Sequence, residues 1–216
     1  MAEFEPFIEH QGEPRRFWLR RPRPVGEKFL IAREGQAIPE RFRHKIPIIL
    51  DFHSAFGTGG HGTTEGCLMA MEETIRGGER VLDVGTGTGI LAVAAQKLGA
   101  GHVTAVDIDR GACAETRKNL ALNGITGGVV VVEGGIRSVP DRYDVVVANL
   151  RTPVLTGILE DMADRLNRAG TAVLSGILER ELHPFLALLE QRLFEPPAIR
   201  RLRGWMTLVS RKRPAT

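Results

Sequence analysis

The sequence predicts an α/β protein with a mostly parallel sheet that is covered by helices on both faces. From Arg80 onward, short runs rich in Val, Leu and Ala alternate with longer segments of helical spacing. Strands that are apolar on both sides are typical of parallel sheets buried between layers of helices. The chain has 216 residues, 43% of them hydrophobic and 25% charged, so it is long enough to bury such a core.

The first part of the chain predicts a short arm rather than an independent domain. Residues 1–45 are rich in Pro and Arg, with only brief apolar stretches such as "FWLR" and "KFLIA", which predict one or two strands. We expect the domain proper to occupy residues 46–216. It begins with a strand, "KIPIILD", that leads into the glycine-rich loop "AFGTGGHGTT". A helix is predicted after the loop, with Thr63 or Thr64 as its N-cap.

The remaining elements follow in a regular order. Gly99 and Gly124 are typical helix ends, and Pro153 and Pro184 lie near helix starts, where proline is tolerated. The predicted strands are "RVLDVG", "HVTAVD", "GVVVVEG", "YDVVVANL", "GTAVLSG" and "GWMTLVSRK". The predicted helices are "GILAVAAQKLG", "RGACAETRKNLALNG", "PVLTGILEDMADRLN" and "LERELHPFLALLEQRL".

Several classes of protein are not indicated by the sequence. No apolar run approaches the roughly 20 residues that span a bilayer, so no membrane association is expected. The two cysteines, Cys67 and Cys113, lie in helical patterns and predict buried free thiols in a reducing, cytoplasmic setting. The six histidines and two cysteines lack zinc-ligand spacing, so no metal is expected. The phosphate-binding P-loop and the G-x-S-x-G hydrolase motif are absent.

Positive charge is concentrated near both ends of the chain, although the net charge is only +3. Such clusters can attract a polyanion, so affinity for a nucleic acid or a ribonucleoprotein is one interpretation; a solvated rim and a basic tail are the other. The clustered residues are Arg15, Arg16, Arg20, Arg21 and Arg23 in the arm, and Arg200, Arg201, Arg203, Arg211, Lys212 and Arg213 near the end.

The turn after "RVLDVG" has the features of a ligand-binding turn. Gly85, Gly87 and Gly89 would let the backbone approach a ligand at a helix N-terminus. The G-x-G-x-G spacing alone is a weak signal, and it lacks the last glycine of the dinucleotide fingerprint. Asp83 stands two positions before the first glycine. A carboxylate there favours a cationic ligand over a pyrophosphate, which it would repel.

A second acidic residue narrows the choice of ligand further. Asp107 ends the next predicted strand, about twenty residues beyond the glycines, where an acidic residue binds the hydroxyls of an adenosine ribose. A nucleoside that carries positive charge and no phosphate is S-adenosylmethionine, which we predict as the cofactor. NAD remains the alternative ligand, and each acid taken alone also has a structural interpretation.

The strand "YDVVVANL" places Asn149 where chemistry occurs in such sheets, beyond the carboxyl ends of the strands. Its amide oxygen could accept a hydrogen bond from an amine and orient the lone pair of that amine toward a methyl group. The alternative is that Asn149 caps the following helix.

The motifs taken together resemble one family. "AFGTGGHGTT", "VLDVGTGTGILAVAAQKLGA", "AVDID", "NLALNG", "DVVVANL" and "LSGIL" are similar to the PrmA-type ribosomal-protein methyltransferases. The resemblance covers roughly Ile46 to the C-terminus. It implies a class I S-adenosylmethionine-dependent methyltransferase fold, Rossmann-like, with a mostly parallel seven-stranded sheet and an antiparallel terminal strand. It also implies methyl transfer to amino groups of a large-subunit ribosomal protein, with His61 in the loop facing the acceptor.

The candidate site follows from the motifs and the resemblance together. Asn149 and His61 are the candidate catalytic residues, and His61 could act as a base or only order its loop. The candidate cofactor-binding residues are Phe56, Gly57, Thr63, Thr64, Asp83, Gly85, Gly87, Asp107, Ile108 and Asn149.

The chain also departs from the family pattern. The arm is shorter than the substrate-recognition domain with which the family normally begins. Gly62 stands where a residue with a side chain is common, which would loosen the loop, and Leu150 and Arg151 follow Asn149 where Ile-Leu is frequent. Methylation of RNA, a small molecule or another protein therefore remains open, as does a cofactor-binding module without catalysis.

Overall fold

The computed structural model describes residues 21–51, 57, 59–192 and 194–214, which form two sheets. The strands of the described residues are β1 Arg23–Val25, β2 Phe29–Arg33, β3 Ile46–Leu50, β4 Arg80–Val84, β5 His102–Asp107, β6 Val129–Glu133, β7 Tyr143–Asn149, β8 Leu166–Leu178, β9 Ala198–Leu202 and β10 Trp205–Arg211. The helices are α1 Gly62–Thr74, α2 Ile90–Lys97, α3 Arg110–Leu122, α4 Thr152–Arg165 and α5 Leu182–Gln191. The predicted strand "FWLR" lies outside the described residues.

The larger sheet has seven strands in the order β6-β5-β4-β7-β8-β10-β9. The first five are parallel to their neighbours, whereas β10 is antiparallel to both β8 and β9. The predicted α/β fold with a mostly parallel sheet and an antiparallel terminal strand is therefore confirmed. The last strand of the sequence does not lie at the edge, because β9, which the sequence pattern did not predict, pairs with its outer side.

Each face of the large sheet contributes to a separate apolar core, because successive side chains of a strand point to opposite faces. On β4, Val81 packs toward α1, α2 and the small sheet, while Leu82 packs toward α4 and α5. The predicted helix ends at Gly99 and Gly124 are confirmed, with φ angles of 95° and 69°. Cys67 and Cys113 are buried free thiols, as predicted.

The smaller sheet consists of β1, β2 and β3, with β2 and β3 parallel. The arm is held against α1 by Glu72, whose carboxylate accepts hydrogen bonds from the backbone N–H groups of Glu27 and Lys28 at 2.9 and 2.8 Å. The predicted boundary between residues 45 and 46 falls between two paired strands, and it stays a prediction.

The start of α1 differs from the sequence prediction. His61 is the N-cap, and its Nδ1 accepts a hydrogen bond from the backbone N–H of Thr63. The expectation that Thr63 or Thr64 caps this helix was wrong, because both threonines lie inside the helix with their hydroxyl groups turned to other partners. None of the helices in the described ranges has the combination of length and apolar character that crossing a membrane demands.

Candidate active site

The glycine-rich turn lies at the carboxyl end of β4, between β4 and α2. Gly85, Gly87 and Gly89 all have positive φ angles, of 72°, 56° and 81°. A left-handed backbone of this kind favours glycine. A Cβ atom on Gly85 would lie 2.5 Å from Cδ2 of Leu150, so the turn also packs closely against the segment after β7. All three positions therefore favour glycine for their conformation, and Gly85 needs it for its packing as well.

Asp83 lies directly beneath this turn and is 1% exposed. Its Oδ2 accepts a hydrogen bond from the Thr86 hydroxyl at 2.7 Å, while its Oδ1 has no hydrogen-bond partner among the described residues. Burial raises the pKa of Asp83 to about 7, against the opposing effect of the Thr86 hydrogen bond, and the negative charge of Asp107 adds to the rise. A buried carboxylate oxygen without a donor fits a ligand that brings a positive charge.

Asp107 ends β5 beside the turn. Its Oδ2 accepts from the Gly87 backbone N–H at 2.9 Å, and its Oδ1 accepts from that of Asp109 at 3.0 Å. Each carboxylate oxygen has two lone pairs, so both can still accept hydrogen bonds from ribose hydroxyls. The next residue, Ile108, is 82% exposed, which is unusual for so large an apolar side chain. This arrangement suits a nucleoside whose base covers Ile108.

Asn149 ends β7 and is held by the start of α1. Its Nδ2 donates to the Thr64 hydroxyl oxygen at 3.3 Å, and Thr64 is fully buried. The amide nitrogen is used in this way, which leaves the amide oxygen to accept a hydrogen bond from another group. Asn149 does not cap α4, because the N-cap of that helix is Arg151, followed by Pro153 in the first turn.

His61 orders the N-terminus of α1. Its Nδ1 lies 2.8 Å from the Thr63 hydroxyl oxygen and also accepts from the Thr63 backbone N–H. The imidazole ring meets the Trp205 ring edge-to-face, with 5.0 Å between the centroids. His61 therefore caps α1, which the sequence did not predict. Whether it acts as a base or only orders the loop stays open.

The end of the glycine-rich loop is fastened by side chains from distant parts of the chain. The carbonyl oxygen of Gly57 accepts from the Thr88 hydroxyl at 2.8 Å. The carbonyl oxygen of Gly60 accepts from guanidinium groups of Arg23 and Arg203 at 3.3 and 3.2 Å. Phe56, predicted to contact the cofactor, lies outside the described residues.

The two arginines share a buried acid, Glu65 of α1, which forms ion pairs with both of them. Arg203 and Gly204 have φ angles of 51° and 78° and form the two-residue turn between β9 and β10. Two positive φ angles in such a turn are typical of a type I′ hairpin. Sequence reasoning missed Glu65 and Thr88. A terminal hairpin was implied by the family resemblance alone; in the residue pattern, the "RG" turn between β-like segments was the available signal for its position.

Gly62 tightens the contact between α1 and the same hairpin. A Cβ atom at this position would lie 3.0 Å from the carbonyl oxygen of Leu202. The missing side chain lets the helix approach β9 closely. That Gly62 loosens the loop stays a prediction.

The C-terminal basic cluster is largely engaged within the protein. Arg200 pairs with Glu73, Arg201 with Glu179, and Arg203 with Glu65. Lys212 donates to the carbonyl oxygen of Leu166 at 3.1 Å, and burial lowers its pKa. Within the described ranges, no group of three or more His, Cys, Asp or Glu side chains is arranged to hold a metal ion.

Comparison with known proteins shows to which family the chain belongs. The family model described as ribosomal protein L11 methyltransferase (PrmA) matches residues 17–213. The chain belongs to this family. A relative of that name from Pelobacter propionicus is 40% identical over 198 residues, which cover 89% of this chain and 63% of the relative. Another, from an Exiguobacterium species, is 39% identical over 76% of this chain and 53% of its own length.

The chain thus spans between about half and two thirds of the length of these curated members of the family. A crystal structure of a ribosomal protein L11 methylase from Lactobacillus delbrueckii matches with a TM-score of 0.83 at 30% identity, covering 89% of this chain and 98% of that one. The T. thermophilus 16S rRNA methyltransferase in complex with AdoMet and guanosine matches with a TM-score of 0.64 at 22% identity, covering 74% and 45%. This second likeness concerns the fold alone.

Proposed function

We propose that the chain transfers methyl groups from S-adenosylmethionine to amino groups of a ribosomal protein. The substrate named for its relatives is ribosomal protein L11. The observation that carries the proposal is the state of Asn149, whose amide nitrogen is bound by Thr64 while its oxygen lies at the carboxyl end of β7. A fixed acceptor at this position is what a neutral amine requires for alignment.

The residues around the turn fit the cofactor. The unpartnered Oδ1 of Asp83 offers a negative charge to a cationic group, and Asp107 offers lone pairs to ribose hydroxyls. Gly85 and Gly87 bring the backbone close to the ligand, and the exposed Ile108 provides apolar surface for a base. When bound, the cofactor supplies a methyl group on a positively charged sulfur, which keeps the bonding electron pair as the methyl leaves.

Asn149 positions the acceptor amine in this proposal. A lysine or N-terminal amine must first lose a proton, and an apolar surrounding lowers its pKa. The Asn149 oxygen then accepts one N–H, which directs the nitrogen lone pair toward the methyl group. Leu150 contributes apolar surface beside the turn. His61 orders the start of α1, and through Thr64 that helix holds Asn149 in place.

Lysine as the acceptor residue, the cytoplasm as the location and a weak contact with ribosomal RNA are finer parts of the proposal. The free, buried state of Cys67 and Cys113 supports a reducing compartment. The ion pairs of Arg200, Arg201 and Arg203 reduce the charge that the C-terminal cluster offers to RNA. Of these three parts of the proposal, the contact with RNA therefore has the least structural support.

The substrate class is tested with S-adenosylmethionine labelled in its methyl group. The chain is incubated with purified ribosomal protein L11, with ribosomal RNA, and with both. We expect label in the protein, stable to hydrolysis as an N-methyl group. Label found only in the RNA would reject a protein substrate, and cofactor binding without transfer to either would support a module without catalysis.

The role of Asn149 is tested by Asn149→Ala. We expect the rate of transfer to fall by about a hundredfold or more, because the amine loses its alignment, while the dissociation constant of the cofactor changes by less than about threefold. Single-turnover transfer and calorimetric binding measure the two quantities. Asn167→Ala is the control, since Asn167 donates to Asp144 at 2.7 Å, near the opposite end of β7. Full activity in Asn149→Ala would remove this residue from the mechanism.

A further inference from the structure

Helix α3 presents a stripe of polar side chains to the interior of the protein. Thr116, Asn119 and Asn123 follow one another at intervals of three and four residues, so they lie on one face of the helix. Thr116 and Asn119 are fully buried. Polar side chains are buried at a cost unless they are hydrogen-bonded, so the partners of this stripe should explain its presence.

Asn119 joins two segments that are far apart in the sequence. Its Oδ1 accepts from the Asp51 backbone N–H at 2.8 Å, directly after the end of β3. Its Nδ2 donates to the carbonyl oxygen of Thr88 at 2.8 Å, inside the glycine-rich turn. The hydroxyl of Thr88 in turn donates to Gly57 of the glycine-rich loop. One amide side chain therefore links the end of β3 to the turn.

Thr116 adds a second contact to the turn. Its hydroxyl donates to the carbonyl oxygen of Gly87 at 3.0 Å. A Cβ atom on Gly89 would lie 2.8 Å from Cγ2 of Thr116, so the turn rests directly on α3. The backbone N–H of Gly87 points the other way, to Asp107. Helix α3 thus holds two consecutive carbonyl groups of the turn, those of Gly87 and Thr88, next to the N–H group that binds the proposed ribose-binding acid.

Asn123 supplies the contrast within the same stripe. It accepts from the Ile49 backbone N–H at 2.9 Å and donates to the Ile49 carbonyl oxygen at 2.7 Å, which pairs it with β3 as another strand would be paired. It has no hydrogen bond to the glycine-rich turn among those of the described residues. Asn119 and Asn123 therefore hold the same strand and its continuation, but only Asn119 also holds the turn.

We propose that Asn119 is a positioning residue for cofactor binding, because it ties the glycine-rich turn at Thr88 to the end of β3 at Asp51. The proposal rests on the proposed function, in which the glycine-rich turn binds the cofactor. Only an amide serves this purpose fully. It offers a donor to one buried backbone group and an acceptor to the other, whereas a carboxylate lacks the donor and an alkyl group lacks both.

The test compares Asn119→Ala with Asn123→Ala, which make the same change on the same helix. Both variants lose hydrogen bonds to buried backbone groups, so both should unfold at lower denaturant concentration than the wild type. The dissociation constant of S-adenosylmethionine, measured by calorimetry on folded protein, should rise about tenfold or more in Asn119→Ala. It should stay within about twofold of the wild type in Asn123→Ala.

Thr116→Val keeps the proposal testable if Asn119→Ala does not fold. It keeps the shape of the side chain and removes only the hydroxyl that binds Gly87, and we expect a dissociation constant about threefold higher. An unchanged dissociation constant in Asn119→Ala, or in Thr116→Val where Asn119→Ala does not fold, would overturn the proposal, as would an equal rise in Asn119→Ala and Asn123→Ala.

The proposed function fails by a different result. A wild-type chain that binds the cofactor but transfers no methyl group would contradict the activity and leave the comparison of dissociation constants intact. A wild-type chain that does not bind S-adenosylmethionine would overturn both.

Discussion

Two glycine-rich segments contribute residues to the candidate site, and their described residues are held in different ways. The turn at residues 85–89 is anchored to the sheet through its backbone, because the N–H groups of Gly85 and Thr86 both donate to the carbonyl oxygen of Val106. Side chains of Asp107, Thr116 and Asn119 add further hydrogen bonds to it. The loop that ends at His61 is held by side chains from other parts of the chain. Thr88 binds Gly57, while Arg23 and Arg203 bind Gly60.

The difference lies in how easily the hydrogen bonds of each segment can be removed by substitution. Backbone hydrogen bonds of a buried parallel sheet tolerate few changes, because every strand is packed on both faces. Side-chain hydrogen bonds can be removed one at a time. We therefore expect substitutions in the turn to abolish cofactor binding, and substitutions around the loop to weaken it in steps.

The largest effect is expected for Gly85→Ala. The new Cβ atom would lie 2.5 Å from Leu150, and the φ angle of 72° disfavours alanine, so the turn must move. We expect the dissociation constant of the cofactor to rise at least about a hundredfold, as measured by calorimetry. Gly124→Ala is the matched control, since Gly124 has a φ angle of 69° and open space around it. Equal effects of the two substitutions on binding would show that backbone strain, and not the closeness of the turn, is responsible.

An intermediate effect is expected from the protonation of Asp83. With a pKa of about 7, Asp83 is mostly protonated at pH 6 and mostly ionised at pH 8. A cationic ligand binds the ionised form, so the affinity for S-adenosylmethionine should fall about tenfold from pH 8 to pH 6. Asp83→Asn should remove most of this dependence. A pH dependence that persists unchanged in that variant would exclude Asp83 as its source.

The same pKa predicts the pH dependence of stability without the cofactor. The folded state holds the Asp83 proton up to about pH 7, whereas an unfolded aspartate releases it at about pH 4. The folded state binds more protons in this window, so the contribution of Asp83 to the free energy of unfolding should decrease as the pH rises from 4 to 7. Denaturant unfolding of the wild type and Asp83→Asn at both pH values measures it.

The smallest effect is expected for Arg203→Ala at the loop. The substitution removes one hydrogen bond to Gly60 and one of the two ion pairs of Glu65, while Arg23 keeps the other. We expect the KM for the cofactor to rise about threefold with little change in kcat. Arg201→Ala is the control, because Arg201 pairs with the exposed Glu179 instead. An effect of Arg203→Ala as large as that of Gly85→Ala would contradict the distinction between the turn and the loop.

Local sequence patterns were sufficient for most of the fold. The runs of Val, Leu and Ala predicted six strands of the large sheet, since a strand buried on both faces needs apolar residues throughout. The pattern failed at β9, whose sequence "AIRRL" carries charges because it lies at the sheet edge. The N-cap of α1 was also missed, since histidine is not among the preferred capping residues.

The sequence by itself determined the order of elements, the positions of Asp83 before the turn and of Asp107 at the end of the next strand, and the family. These features depend on neighbouring residues and on the periodicity of helices and strands. Only the tertiary structure decided which partners orient the site. These pairs are Thr64 with Asn149, Asn119 with Asp51 and Thr88, and Arg203 with Gly60. Each of these contacts joins residues more than 30 positions apart, and such pairs meet only when burial of the apolar faces has brought their elements together.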